Sequence, residues 1–260
     1  METVASLLQV LCYLVIAHAW TCTVPPQQHP AKQIDAGQGM VIMTDKKNGA
    51  YTLSGSTWRT LGTVPLKHVS AGPQGIWGVD ASNKVYKYVA GDFVPSEGRS
   101  MQQVDAGGLG VLVGISPTSS KNIFLLTSTE ALAFSHTSFL NWVLVSGSLI
   151  YISCGPYGCW GTNSANNIYL TKKIAPSTSG DSGWVQIEGW AMMVEVGTDG
   201  SVFVLNAKGE IFQRTGISSA GPQGTGWIHI PMGAKIKHLT YDLGQLWAIT
   251  DGGVILKCTQ

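Results

Sequence analysis

Three acidic residues, Asp35, Asp105 and Glu195, recur at one position of a repeated segment, two residues before its closing residue. Carboxylates placed this way around a ring could converge on a hard cation such as calcium, which takes oxygen ligands. The plainer reading is that each carboxylate accepts backbone N–H groups at its own turn. Two other constellations pair an indole with short polar side chains: Trp77 with Asp80 and Asn83, and Trp160 with Asn163 and Asn166. Sugars stack their C–H faces on aromatic rings while carboxylates and amides take their hydroxyls, so these six residues are candidate ligand contacts. Both rings also fit a repeated core position. In that case the polar residues, at the turn between two strands, are the better contacts.

Other reactive patterns carry less. Gly180-Asp181-Ser182-Gly183 matches the tetrapeptide around a serine-protease nucleophile, but no His has the matching upstream context, and the Ser-rich flank reads as a loop. His68 and His238 share one repeat position, which favours a structural or lumen-facing role over acid–base work. No phosphate-cradling Gly-Lys motif and no zinc-spaced Cys/His cluster is present. No catalytic residue is assigned.

The elements that must position these residues come from a repeat. Gly37, Gly72, Gly107, Gly155 and Gly197, with Asp242 as a degenerate sixth, close six similar segments spaced 35, 35, 48, 42 and 45 residues apart. A period near 40 is that of architectures built from four-stranded blades. Three residues before each closing position stand Ile34, Val69, Val104, Ile152, Val194 and Leu239. Two before it stand Asp35, Ser70, Asp105, Ser153, Glu195 and Thr240. This alternation predicts an inner strand with one face packed between sheets and the other toward water or a lumen. A hydrophobic second strand, a third with an aromatic or apolar pair, and a fourth opening on Trp58, Trp142, Trp184 or Trp227 complete each unit, with Phe93 as the weak copy. Leu112 replaces the usual Trp in the third copy, where residues 116–121 are expected to lengthen a turn.

Trp20 has the form of a fourth-strand residue yet precedes the first inner strand, and the last copy ends without a fourth strand. A closed ring resolves both facts: the N-terminal strand completes the last blade and leaves no free sheet edge. The expectation is an all-β, six-bladed β-propeller over residues 20–260, preceded by a cleaved signal peptide at 1–19 that ends in an Ala-x-Ala step. No later stretch is long and apolar enough to span a membrane. Beyond the signal four cysteines remain, for which three pairings exist. Only Cys22 with Cys258 and Cys154 with Cys159 suits a closed ring. Loss of Glu2 leaves 16 Lys and Arg against 14 Asp and Glu, a balance that lacks the basic field nucleic acids require.

The combination W-x-x-[VIL], V-[SD]-A-G, G-x-W-G-V-[DN] and [IV]-[YF]-x-[RK], clearest from Trp58 to Lys87, resembles the tectonin β-propeller family and within it the fish-egg lectins. The resemblance covers Trp20 to Gln260. It implies a secreted, non-enzymatic lectin that binds N-acetylglucosamine-type glycans on microbial or egg surfaces in innate defence, with calcium as a cofactor in some members. Homo-oligomerisation is open to it. Six similar sites suit multivalent binding better than catalysis, which needs one asymmetric constellation. The alternatives are a protein-binding propeller without glycan affinity and, less favoured, a hydrolase built around a lumenal metal.

Overall fold

The computed structural model describes residues 19–134, 139–175 and 183–260. Six four-stranded antiparallel sheets form the blades of a propeller, each running outward from an inner strand. The inner strands are Ala31–Gly37, His68–Gly72, Gln103–Asp105, Tyr151–Gly155, Met193–Val196 and Ile236–Asp242, and blades are numbered 1 to 6 in that order. Blade 6 takes its outermost strand from Thr21–Thr23, which pairs with Ile255–Thr259 so that Cys22 lies opposite Cys258. Those cysteines are joined, as are Cys154 and Cys159 on neighbouring strands of blade 4. The first disulfide fastens the two ends of the ring across 236 residues.

Alternation along the inner strands sets the packing. Ile34, Val69, Val104, Ile152, Val194 and Leu239 are buried between blades. Adjacent blades share apolar clusters, such as Ile34, Met43 and Trp58 of blade 1 with Trp247, Ile249 and Ile255 of blade 6. The repeated Gly is required by close approach: a Cβ on Gly37 would stand 2.2 Å from the carbonyl oxygen of Ala71, and one on Gly72 would stand 2.1 Å from that of Ala106. Asp242 fills this place in blade 6, and its carboxylate accepts the N–H of Gly39 at 2.7 Å.

The polar residues two before the closing position form a belt around the channel. Ala71 N donates to Asp35 (2.6 Å), Ala106 N to Ser70 (2.9 Å), Cys154 N to Asp105 (3.0 Å) and Val196 N to Ser153 (3.1 Å). Thr240 donates to Glu195 at 3.1 Å and accepts from Ala36 N at 2.8 Å, completing the circuit. Each blade thus hydrogen-bonds to the next through its belt residue.

The turn at residues 116–121 is longer than its counterparts, as expected, but it accounts for little of the long third spacing. Most of the spacing's extra length lies beyond the third strand of blade 3, where Ser128–Ala133 form a short helix capped by Thr127. The proposed signal and most of the Gly-Asp-Ser-Gly tetrapeptide lie outside the described residues. Among the described residues no helix is long and apolar enough to cross a membrane.

Candidate functional site

The turn between the second and third strands of each blade is built to one plan. A polar side chain caps it: Oδ1 of Asp80 accepts Ser82 N and Lys84 N, both at 2.8 Å, and Oδ1 of Asn163 accepts Ala165 N (3.0 Å) and Asn167 N (2.9 Å). Asp45 and Asn206 do the same in blades 1 and 5. A residue with left-handed backbone follows, Asn83 at φ 71° and Asn166 at φ 62°, a conformation Asn tolerates better than most residues. The carbonyls of Asn83 and Asn166 accept Met101 N and Ala191 N, each at 2.9 Å, from the chain entering the next blade. Asp80, Asn83 and Asn166 therefore hold the turn and join blades, and Oδ1 of Asn163 is likewise committed to its turn.

The two predicted rings are corrected to core residues. Trp77 has no exposed surface and donates its indole N–H to Gln74 O at 2.8 Å, with Lys87 Nζ 5.4 Å from the ring centroid. Trp160 is 2% exposed and meets Trp227 edge-on. Neither ring offers a face to a sugar. Strand two is the inner of the two middle strands, so both of its sides are covered by neighbouring blades.

Asp35, Asp105 and Glu195 all line the channel, but as members of the hydrogen-bonded belt. Among the described residues no group of three His, Cys, Asp or Glu stands close enough to hold a metal ion, so the expected shared cation centre is not assembled. Burial first, and the neighbouring carboxyl charge second, pushes Asp105 up to about 8. Burial also raises Asp35 to about 6, against hydrogen bonds that lower it, and holds Glu195 well above the usual carboxylate range.

Open concave surface lies further out, in grooves between blades. One groove of about 320 Å³ is lined by Ile123, Gly147, Ser148 and Leu149 of the blade 3 edge and by Asn163, Tyr169 and Trp184 of blade 4. A second, of about 220 Å³, repeats it one blade on with Ile168, Gly189, Trp190, Val204, Asn206, Phe212 and Trp227. In both, the indole of the fourth-strand Trp donates to a carbonyl of the preceding blade: Trp184 to Ser146 at 2.9 Å and Trp227 to Glu188 at 2.8 Å. The glycine beside each carbonyl allows this approach. Gly147 and Gly189 have φ of 117° and 107°, and a Cβ there would stand 3.2 and 3.3 Å from the indole nitrogens. Both rings stay half-buried, while Trp190 is 74% exposed at the rim of the second groove. Arg214 lies over Trp227 at 4.9 Å and pairs with Glu188.

Linker length explains why these grooves are open. Only residues 149–150 and 191–192 separate the last strand of blades 3 and 4 from the next inner strand. Blade 1 is reached through residues 24–30, which cover its groove: Trp58, 3% exposed, donates to Pro26 O at 2.8 Å, and His29 lies against Tyr51. Phe93 and Trp142 are also buried. Of the predicted contacts, Asn163 alone reaches an open groove. The aromatic partners there, Tyr169, Trp184, Trp190, Phe212 and Trp227, were visible in the sequence on the repeat's third and fourth strands, and Asn206 at the turn matching Asn163, but spacing could not show which of them a linker covers.

A family model of the tectonin domain matches residues 30–251. The chain belongs to the tectonin family. Among related tectonin-like chains, the fish-egg lectin of Cyprinus carpio is 39% identical over 160 residues, 60% of this chain and 65% of that protein, so the match spans just under two thirds of the carp lectin. The 31 kDa subunit of perivitellin-2 from Pomacea maculata is 24% identical over 63% of this chain and 74% of its own. Among solved structures, virginiamycin B lyase of Staphylococcus aureus superposes with a TM-score of 0.59 at 12% identity, covering 93% of this tectonin chain and 99% of the lyase. YCF48 of Cyanidioschyzon merolae gives 0.55 at 13%, over 93% and 85%. Identities this low speak to the propeller fold alone.

Proposed function

We propose that this tectonin is a secreted lectin that binds amino-sugar glycans in the two equivalent grooves, stacking a sugar ring against Trp184 and Trp227. The observation that carries this reading is the repetition. Two adjacent blade interfaces build the same indole, aromatic, amide and glycine arrangement and leave both indoles half exposed. The free Nδ2 edge of Asn163, only weakly engaged by Tyr169 at 3.5 Å, is a donor for a sugar hydroxyl or N-acetyl oxygen. Two like sites on one face supply avidity for a repetitive polysaccharide without either being tight. The similarity to a fish-egg lectin and the two disulfides support an extracellular glycan-binding role. A defence role at microbial surfaces rests on the same family likeness.

Glycan-array screening followed by calorimetry with N-acetylglucosamine oligomers tests the reading. Trp184→Ala and Trp227→Ala should each weaken binding by about 1–3 kcal/mol, the range for a stacked aromatic, and the pair should abolish avidity. Saturable binding that survives the double substitution would remove the grooves from the mechanism. No binding to any amino-sugar glycan would favour the protein-binding ring.

A further inference from the structure

The face that carries the grooves has a second half of different character. The inner strands of blades 6, 1 and 2 begin on it, around the channel mouth, and five residues before the closing position stand Lys237, Lys32 and Lys67, the last just ahead of its strand. The corresponding residues of blades 3 to 5 are Gln102, Ile150 and Met192. In blades 6 and 1 the strand register shifts at this residue, between Ile236 and His238 and between Ala31 and Gln33. Lys237 and Lys32 are thus the extra residues of two β-bulges, a device that re-aims a side chain.

All three ammonium groups are held by neutral oxygens. Lys237 Nζ donates to Ala31 O at 2.7 Å, Lys32 Nζ to Asn48 Oδ1 at 2.8 Å, and Lys67 Nζ to Asn83 Oδ1. These bonds fix the amines without cancelling their charge. The ion pairs found among the described residues, Lys84 with Glu97 and Arg214 with Glu188, lie elsewhere. Asp80 near Lys67 and Asp251 near Lys237 favour the charged amines, but the Asp80 carboxylate is committed to its own turn and to Tyr86. Burial first, and then neighbouring lysines, holds the Lys67 and Lys237 amines below their ordinary value.

One residue further along the strands, His68 and His238 face the channel beneath this rim. His68 Nε2 bonds Val104 O at 2.9 Å and His238 Nε2 bonds Tyr151 at 3.2 Å, whereas the buried Nδ1 of His238 has no partner. The Lys32 charge acts on both Lys67 and Lys237, a repulsion that a doubly charged oxyanion at the rim would relieve.

We propose that Lys32, Lys67 and Lys237 form an anion site at the channel mouth that takes the phosphate or sulfate group of a modified sugar. This site is separate from the grooves and does not depend on them. Low-salt calorimetry with inorganic phosphate, glucosamine 6-phosphate, glucosamine 6-sulfate and N-acetylglucosamine tests it. The esters should bind saturably, and Lys32→Gln/Lys67→Gln/Lys237→Gln should weaken them about tenfold or more, on the order of 1.4 kcal/mol, while leaving N-acetylglucosamine binding unchanged. Raising NaCl to about 0.5 M should weaken the esters alone. Inorganic phosphate binding as tightly as the esters would uphold the cation cluster but overturn its assignment to a sugar. Wild type that binds none of the anions, or a folded triple variant that binds them as wild type does, overturns the site. Should the triple variant fail to fold, the exposed Lys32→Gln decides alone: a weaker ester affinity at unchanged melting temperature supports the proposal, and an unchanged affinity overturns it.

Discussion

The backbone N–H of Ala36 donates to Oγ1 of Thr240 at 2.8 Å, joining the first blade to the last. Thr240 in turn donates to Glu195, so one hydroxyl serves both as the seam of the ring and as the support of a buried carboxyl. Thr240→Val keeps the shape and removes both bonds. It should cost about 1–3 kcal/mol, because a buried N–H and a carboxyl oxygen lose their partners. Urea unfolding with an unchanged m-value and a lowered midpoint is the expected result; an unchanged midpoint would mean that the disulfide between Cys22 and Cys258 carries the closure without the belt.

Asp80→Ala with Asn83→Ala should lower stability, by about 1–2 kcal/mol or more for the cap and left-handed position together, and leave the intrinsic affinity of the grooves unchanged. Asp80 caps the turn and Asn83 carries the left-handed backbone whose carbonyl receives blade 3. Thermal melts and calorimetry on one sample check it. Weakened sugar binding at unchanged melting temperature would return these residues to the ligand site.

That contrast shows how far the sequence could be read. The Gly spacing, the apolar and polar alternation from Ile34–Asp35 to Leu239–Thr240, and the misplaced Trp20 were enough for six blades and a closure through the first strand, since each follows from local chain geometry. The site was less legible. Asp80 and Asn83 look like ligand residues because a polar loop and a capped turn use the same side chains, and hydrogen-bond partners decide between them. Trp58 and Trp184 are chemically alike and open the same strand of the repeat. Only the length of the linker crossing each groove separates a buried indole from a reachable one.

Calcium should leave the ring unaffected through the belt residues. Asp35 and Asp105 each accept a backbone N–H from the next blade, a role Asn fills through its own carbonyl oxygen. Calorimetric titration should give the same calcium response for wild type and for Asp35→Asn/Asp105→Asn. A response lost in the variant would restore a lumenal cation site.

The pH dependence of stability separates the carboxyls from the histidines. Asp105 is pushed from 3.8 up to about 8 in the folded ring, so folding favours its protonated form. The contribution is full below about pH 4 and is lost as pH rises toward 8, because ionisation then favours the unfolded chain. His68 and His238 act in the opposite sense. Burial, and then the positive charges around them, hold them down to about 4 and about 3, so their contribution is present above the ordinary value of 6.5 and is lost as pH falls below it. A melting curve of the wild type therefore mixes two opposing slopes. Asp105→Asn removes the Asp105 share of the carboxyl slope while keeping an acceptor for Cys154 N. The variant should gain stability relative to wild type progressively from pH 4 to pH 8, and the difference should flatten above that. A difference that is constant across the range would show that Asp105 ionises at its ordinary value, with a cation or water compensating it inside the channel.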